Sequence, residues 1–317
     1  MGPLLYILYT ADIPEVCRQA GLATHLYADD IQSYVHVFPQ ESLQAVQSMI
    51  TALDRLNDWM KVNRLRLSQG KTQFMWTGRG RMLDKIDRDG IHGFDAQFPD
   101  VEFLTSVNDL EEVLDENLDM DEQIGNTCRS CYYHLRQIRS IRHSLSDVAA
   151  RMAIQAFVTS RIDYCNAALL GLSSASIDRV QHVMNSAARL LLKLPKFSQI
   201  SVRMRDELHW LPVSLRIQFK VILTMWKCVA GYAPDYLRDL CHLLSTISDR
   251  RQTRSSVASR FLLEVPRART VTMQKRAFAY AGPTLWNNMP ETIRSSALLV
   301  SPDTIKKQLK TLLFSQF

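Results

Sequence analysis

The chain has 317 residues, of which 46% are hydrophobic and 22% are charged. It is long enough for two or three domains, each with its own core, and this balance excludes a disordered tail. Lys and Arg outnumber Asp and Glu by 38 to 32, which gives a net charge of +6. So small an excess favours a polyanionic partner only where the basic residues are clustered.

The charges are segregated along the chain. Eight acidic residues and no basic residue lie between Asp109 and Glu122, whereas eight basic and two acidic residues lie from Asp249 to Arg276. We interpret the second run as a basic loop at 249–276 and expect fields of opposite sign in different regions. A solvated surface is the alternative for either run.

The cysteine and hydropathy patterns indicate in which kind of compartment the chain resides. The six cysteines are too irregularly spaced for a disulfide framework, which indicates a reducing, intracellular compartment. Cys128, Cys131 and His134 have a spacing seen in zinc sites, but no second ligand pair lies nearby, so buried or idle thiols are the favoured interpretation. No apolar run approaches the ~20 residues that cross a bilayer, and we expect no membrane partner.

The first segment in chain order is MGPLLYILYTADI, which is apolar enough to be core. We expect a preceding part of the same domain to cover it. The next segment, HLYADDI, places Asp29 and Asp30 between stretches of β-branched and aromatic residues, which predicts a hairpin with the carboxylates at its tip. Asp is common in ordinary turns, so the pair alone does not identify a site.

An amphipathic helix is predicted from Glu41 to Lys61, where apolar residues recur every three or four positions. Strands are predicted around Leu65 to Leu67 and from Thr72 to Trp76, followed by an exposed excursion from Gly78 to Phe98 and a hairpin within Val101 to Leu118. This order predicts an α+β fold in which a helix packs on a mostly antiparallel sheet.

After the acidic run the apolar spacing is helical, so the second half is predicted to be mainly α. The predicted helices cover Ile124 to Leu145, Val148 to Val158, Ile177 to Leu194 and Leu215 to Val229. Arg136, Arg139 and Arg142 recur every three residues on one face of the first helix. They form a candidate stripe for a nucleic-acid backbone, with an ordinary solvated face as the alternative.

Several segments, in their order and spacing, resemble a known family. The segments are GPLLYILYTADIP, HLYADDIQSYV, LNDWMKVNRLRLSQGKTQFM, SRIDYCNAALLGL and GPTLWNNMP. They resemble the reverse transcriptases of non-LTR retrotransposons of the LINE class, in particular the CR1/Jockey-like group. The first three are similar to the tail of polymerase motif B, to motif C and to motif D, and the resemblance extends over essentially the whole chain.

The resemblance implies a polymerase that uses Mg²⁺ to join nucleotides on an RNA template and a DNA primer. By carry-over, Asp29 is the main motif C metal ligand and Asp30 the second carboxylate. Tyr27 and Ala28 lie near the primer terminus, and Lys71 is the motif D cation near the triphosphate, with a plain surface lysine as the alternative. The implied layout is a partial palm at 1–118, a helical thumb at 119–195 and an α-rich C-terminal region at 196–317.

Two departures from the family bear on activity. The strand that carries the motif A aspartate is absent, and Glu111 stands where relatives place glycine in the primer grip. We therefore expect a fragment of an RNA-directed DNA polymerase that does not polymerise by itself. The alternative is a non-catalytic nucleic-acid-binding protein that uses its basic C-terminal half. The sequence leaves the oligomeric state open.

Overall fold

The computed structural model describes residues 2–86, 103–244, 261–268, 273–296 and 300–317. The chain divides into two compact units, Met1–Met120 and Asp121–Phe317. Both units contain helices, and the first also contains two small antiparallel sheets. This mixture agrees with the predicted α+β class. None of the helices in the described parts of the chain meets the length and hydropathy that a membrane span requires.

The first unit combines short helices with two hairpins. Its helices are α1 (Gly2–Tyr9), α2 (Ile13–Arg18), α3 (Ser42–Val62) and α4 (Gly80–Leu83), with single 3-10 turns at Pro39–Glu41 and Gln69–Lys71. Its strands are β1 (Ala23–Tyr27), β2 (Asp30–Tyr34), β3 (Ser106–Asp109) and β4 (Glu112–Asp115). Strands β1 and β2 pair with each other, as do β3 and β4.

The long helix α3 organises the core of the first unit. Its buried side chains recur at helical spacing, and they include Val46, Ile50, Leu56 and Met60. One part of this face packs with Ile13 and Cys17 of α2, and the apolar residues of the first hairpin pack against the same cluster. The amphipathic helix and both hairpins predicted from the sequence are thus confirmed.

Two other expectations for this unit are wrong. The chain is not in strand conformation around Leu65 to Leu67, and Thr72 to Trp76 is reduced to one bridge between Phe74 and Phe103. A strand is stabilised by a ladder of hydrogen bonds to a neighbour, and here the pairing of Phe74 with Phe103 stops at a single bridge, with Leu104 N–H donating to the carbonyl of Phe74 at 2.8 Å. The expectation that the first segment is core is wrong for α1, which contains no buried residue, whereas Ile13 at the end of the segment is buried.

The second unit is a helical assembly. Its helices are α5 (Asp121–Ile141), α6 (Asp147–Ile154), α7 (Ser160–Asp163), α8 (Ser174–Leu191), α9 (Ser201–Asp206), α10 (Val213–Val229), α11 (Asp235–Arg238), α12 (Met273–Arg276), α13 (Phe278–Asn287), α14 (Glu291–Ser296) and α15 (Pro302–Ser315). A π-helical turn at Gln155–Thr159 joins α6 to α7. The four helices predicted here are confirmed as α5, α6 with its π-helical continuation, α8 and α10.

Two large apolar clusters hold the second unit together. The first is built mainly on α5, α6, α8 and the start of α10, where Ile217 lies. The second contains Ile222 and Trp226 from the rest of α10, together with Trp286 of α13 and Ile305 of α15. Helix α10 therefore contributes to both cores and joins them.

Helices α5 and α8 lie side by side and run in the same direction. Near their first turns, Arg179 Nη1 of α8 contacts Asp121 Oδ1 of α5 at 3.2 Å. Past their last turns, the guanidinium of Arg142 donates to the carbonyls of Leu190 and Leu191 at the end of α8. The surface between these two helices carries the basic residues considered below.

Candidate metal hairpin and nucleic-acid interface

The acidic pair lies at the tip of the first hairpin. Tyr27 of β1 pairs with Asp30 of β2, which leaves Ala28 and Asp29 as the two turn residues. Tyr27, Ala28, Asp29 and Asp30 are all exposed. The short turn and the five-residue strands project both carboxylates from a paired ribbon into solvent, as predicted.

The hairpin turn requires local backbone strain at Ala28. Its φ is +53°, in the left-handed region that favours glycine. Two-residue hairpin turns require such dihedrals because their twist must match that of the flanking strands. An alanine side chain there keeps the turn small, so Asp29 is not shielded by its neighbour.

A third carboxylate reaches this region from the second hairpin. Gln32 Nε2 of β2 donates to Asp109 Oδ2 of β3 at 3.0 Å. Burial raises the pKa of Asp109 above its ordinary value, and the negative charge of Asp30 raises it further. Asp109 could not be found from the sequence, because it lies in a long acidic run. It comes near Asp30 only because the two hairpins, which are far apart in the sequence, contact each other.

These carboxylates do not by themselves make a metal site. Among the described residues, no group of three or more His, Cys, Asp or Glu side chains is arranged to hold a metal ion. Mg²⁺ requires several oxygen ligands that converge in near-octahedral geometry. Asp29 and Asp30 therefore supply part of a donor set, and we assign no catalytic step to them alone.

Lys71 lies at the end of the 3-10 turn Gln69–Lys71, and its side chain is exposed. Its backbone N–H donates to Ser68 at 3.0 Å. No ion pair within the described residues involves its amine, so a role beside a triphosphate stays a prediction.

The departure at Glu111 has a visible backbone consequence. Asp109 pairs with Glu112, so Leu110 and Glu111 form the turn of the second hairpin. Their φ values are +48° and +66°, both in the left-handed region. A glycine at this position would fit without strain, which is a physical reason for the glycine that the sequence resemblance leads one to expect there.

The predicted arginine stripe of the second unit is only partly a surface. Arg136 and Arg139 are exposed on α5. Arg142 is only 7% exposed, and its guanidinium donates to the carbonyls of Leu145, Leu190 and Leu191 and pairs with Asp147. The α-helix ends at Ile141, so Arg142 leaves the helical face and turns into the core.

Arg142 is thus a structural residue, and the prediction that it contacts nucleic acid is wrong. The last carbonyls of a helix have no partner within that helix, and Arg142 satisfies two of them at the end of α8. Its positive charge also suits the negative end of the helix dipole.

The sequence reasoning missed two residues on the exposed flank of α5. Arg129 and Tyr132 precede Arg136 by seven and four positions, so all three lie on neighbouring positions of one helical flank. Arg129 and Tyr132 are exposed. Helical spacing from Arg136 could have found them.

The Cys128, Cys131 and His134 group is not arranged as a site. Cys131 is fully buried, its thiol donates to the carbonyl of Val158, and burial raises its pKa to about 12. His134 stacks on Phe157 with ring centroids 5.1 Å apart. A thiol held in its protonated form is a poor metal ligand.

The basic loop at 249–276 lies largely outside the described residues, which here comprise 261–268 and 273–276. Within them, Arg276 Nε donates to the carbonyl of Leu170 at 3.2 Å. This arginine therefore ties its own segment to the chain after α7.

A comparison with curated proteins shows what part of the chain is similar to. The chain is 26% identical over 222 residues to a protein of Drosophila melanogaster described as "Probable RNA-directed DNA polymerase from transposon BS". The match covers 65% of this chain and 23% of that relative, so the chain spans about a quarter of the relative's length. No protein-family model and no solved structure matches the chain. The chain is therefore similar to part of a transposon RNA-directed DNA polymerase.

Proposed function

We propose that this chain is part of a non-LTR retrotransposon reverse transcriptase of the CR1/Jockey-like type, with a partial palm at 1–118, a thumb at 119–195 and a C-terminal region at 196–317. The observation that carries the proposal is the exposed Asp29 and Asp30 pair on a tight hairpin, in a chain similar to a transposon polymerase. Its nucleic-acid partners would be an RNA template and a DNA primer, in a reducing intracellular compartment.

In this proposal the first unit supplies some of the groups that surround the reaction. Asp29 and Asp30 are the residues that would contribute carboxylates to Mg²⁺, which in such polymerases activates the primer hydroxyl and stabilises the pyrophosphate. Tyr27 and Ala28 would lie beside the primer terminus, and Lys71 would offer a positive charge to the phosphates. The donor set still needs a carboxylate that the described residues do not bring to the tip.

We further propose that the chain alone does not extend a primer. The test is a primer-extension assay on an RNA template with Mg²⁺ or Mn²⁺, in which the chain is compared with Asp29→Ala. We expect both proteins to give only background extension. The donor set at the hairpin tip already lacks a carboxylate in the unmodified chain, and the absence of one metal ligand from such a site costs orders of magnitude in rate.

Extension by the unmodified chain that Asp29→Ala abolishes would overturn the inactivity and would identify the hairpin as a working site. The reading frame directly before Met1 provides a second test of the family assignment. We expect it to encode a strand with an aspartate, followed by a glycine-rich segment that runs into GPLL. A frame with stop codons there would favour a role without catalysis.

A second candidate function is nucleic-acid binding without catalysis. The specific observation in its favour is that Arg129, Arg136 and Arg139 are exposed on one helix. Each phosphate contact made by an arginine releases bound counterions, so affinity should fall steeply as salt rises. The test is a titration of the chain into labelled nucleic acid at several salt concentrations. Affinity that stays flat over a severalfold rise in salt would exclude this function.

A further inference from the structure

A cavity of about 730 Å³ opens on the second unit between α5 and α8. Its basic and aromatic lining comes from Arg129, Tyr132 and Arg136 of α5 and from Arg179 of α8. Asp121 and Glu122 line the end nearest the start of α5. Arg139, one turn beyond Arg136, extends the basic flank past the cavity. We call this surface the α5 groove.

We infer that the α5 groove binds an unpaired nucleic-acid strand, with phosphates on Arg136 and Arg139 and a base stacked on Tyr132. This inference rests on the proposed nucleic-acid-binding role and narrows it to one site and one form of nucleic acid.

The charges of Arg136 and Arg139 are available to a ligand. Within the described residues, neither guanidinium makes an ion pair or a side-chain hydrogen bond, and both side chains are exposed. Arg129 is partly committed, because it donates to Asn126 and to the carbonyl of Gly125. Arg136 and Arg139 should therefore provide the main phosphate contacts, with Arg129 as a weaker one.

Tyr132 gives the groove its preference for unpaired bases. The residue is 37% exposed, and it lies between Arg129 one turn before it and Arg136 one turn after it. An exposed aromatic ring among cations is the arrangement with which proteins hold single strands, because every unpaired base offers a face for stacking. In a duplex those faces are already covered by neighbouring bases, so a duplex gains only the phosphate contacts.

The acidic end limits where the strand can lie. Asp121 is paired with Arg179 at 3.2 Å, but Glu122 adds a further negative charge at the same end. Phosphates are repelled there and attracted towards Arg136 and Arg139. The strand is thus expected to occupy the half of the groove that leads to the end of α5.

The test measures binding of the full chain to labelled oligouridine and oligothymidine of about 12 nucleotides and to a duplex of equal length, by fluorescence anisotropy at several salt concentrations. Both single strands should bind more tightly than the duplex. Tyr132→Ala should weaken single-strand binding about tenfold, and Tyr132→Phe should preserve it, because a phenyl ring still stacks.

Arg136→Gln should reduce the slope of log affinity against log salt by about 0.7 for a single strand, since one phosphate contact is lost. The matched control is Lys307→Gln, which removes one exposed positive charge from α15 of the same unit and should leave affinity and slope unchanged. Ultraviolet crosslinking of an iodouridine-substituted strand should place an adduct on Tyr132, which tests the contact without any substitution.

The outcomes separate this inference from the proposed function. If the chain binds neither single strands nor duplex, the proposed nucleic-acid role fails. If it binds nucleic acid but Tyr132→Ala and Arg136→Gln behave like the unmodified chain, and no adduct forms on Tyr132, the groove inference is overturned while the broader role stands. Equal competition by polyglutamate at matched charge would show a general anion surface and would also overturn it.

Discussion

The two units of the chain differ in what their sequences leave exposed. In the first unit, α1 has no buried residue, and its side chains Leu4, Leu5, Ile7 and Leu8 are all more than half exposed. In the second unit, two continuous clusters bury large side chains, including Trp226 and Trp286. The apolar helix α1 is therefore an accessible surface, whereas the core of its unit is built on α3 and the largest fully buried side chains among the described residues lie in the second unit.

Residues other than glycine adopt the left-handed conformation in both units, and in the second unit they are Cys165, Lys193 and His209. In the first unit they include Ala28, Leu110 and Glu111, which form the turns of the two hairpins. Such residues persist where surrounding structure determines the turn, and they commonly occur at functional sites. The two hairpins of the first unit thus place strained backbone at their turns, whereas the largest fully buried side chains among the described residues, Trp226 and Trp286, lie in the second unit.

The largest effect is expected from Trp286→Ala in the second unit. Trp286 is fully buried, and its indole N–H donates to the carbonyl of Phe261 at 2.8 Å. Truncation should lower the free energy of unfolding by about 3 to 5 kcal/mol, measured by urea titration with circular dichroism. The matched change in the first unit is Leu8→Ala, at a side chain that is 66% exposed, and we expect less than about 0.5 kcal/mol. Similar losses in the free energy of unfolding from Trp286→Ala and Leu8→Ala would contradict the contrast between the two sites.

Arg142→Ala should have the next largest effect, again on stability. It leaves the carbonyls of Leu190 and Leu191 without their donor, and we expect a loss of about 2 to 3 kcal/mol in the free energy of unfolding. Its effect on the salt dependence of nucleic-acid binding should be negligible, because the side chain is buried. Arg136→Gln should show the reverse pattern. A change in salt slope for a folded Arg142→Ala protein would restore Arg142 to the binding surface.

Glu111→Gly should stabilise the first unit by about 1 kcal/mol, because glycine accepts the φ of +66° at that turn position. The control is Glu111→Ala, which removes the same charge but keeps a Cβ in the left-handed region. We expect no comparable gain from it. The measurement is urea unfolding of both variants, and equal gains would assign the effect to charge instead of to the backbone.

The smallest effect concerns the pH dependence at Asp109. Its pKa is raised in the folded chain by burial and by Asp30, so its ionised form costs stability above that pKa. The cost disappears as the pH falls through the folded pKa towards the unfolded value of about 3.9. Asp109→Asn, which can still accept from Gln32, should be slightly more stable than the unmodified chain at neutral pH. The difference should vanish below about pH 4, and a difference independent of pH would contradict this account.

Local patterns predicted the elements that local physics determines. The spacing of apolar residues gave α3, α5, α8 and α10, and the acidic pair gave the first hairpin tip. The strand predicted from Thr72 to Trp76 failed, because a strand depends on a partner that may lie anywhere in the sequence, and here only Phe103 pairs with Phe74.

The candidate sites followed the same division. Asp29 and Asp30 could be found from neighbouring residues, whereas the approach of Asp109 depends on contact between two hairpins. Arg142 was misplaced because the predicted helix was extended to Leu145, whereas the α-helix ends at Ile141. A cation predicted on the surface is therefore buried.

The two ends of the α5 and α8 pair are fastened with unequal strength. At the C-terminal end, the buried guanidinium of Arg142 donates hydrogen bonds to backbone carbonyls of α8. At the N-terminal end, an exposed ion pair joins Arg179 to Asp121. Exposed ion pairs contribute little, about 0 to 1 kcal/mol. The two helices are therefore held together more strongly at their C-terminal ends, beside Arg142, than at their N-terminal ends. Separation of the N-terminal ends, where the α5 groove lies, should cost less free energy.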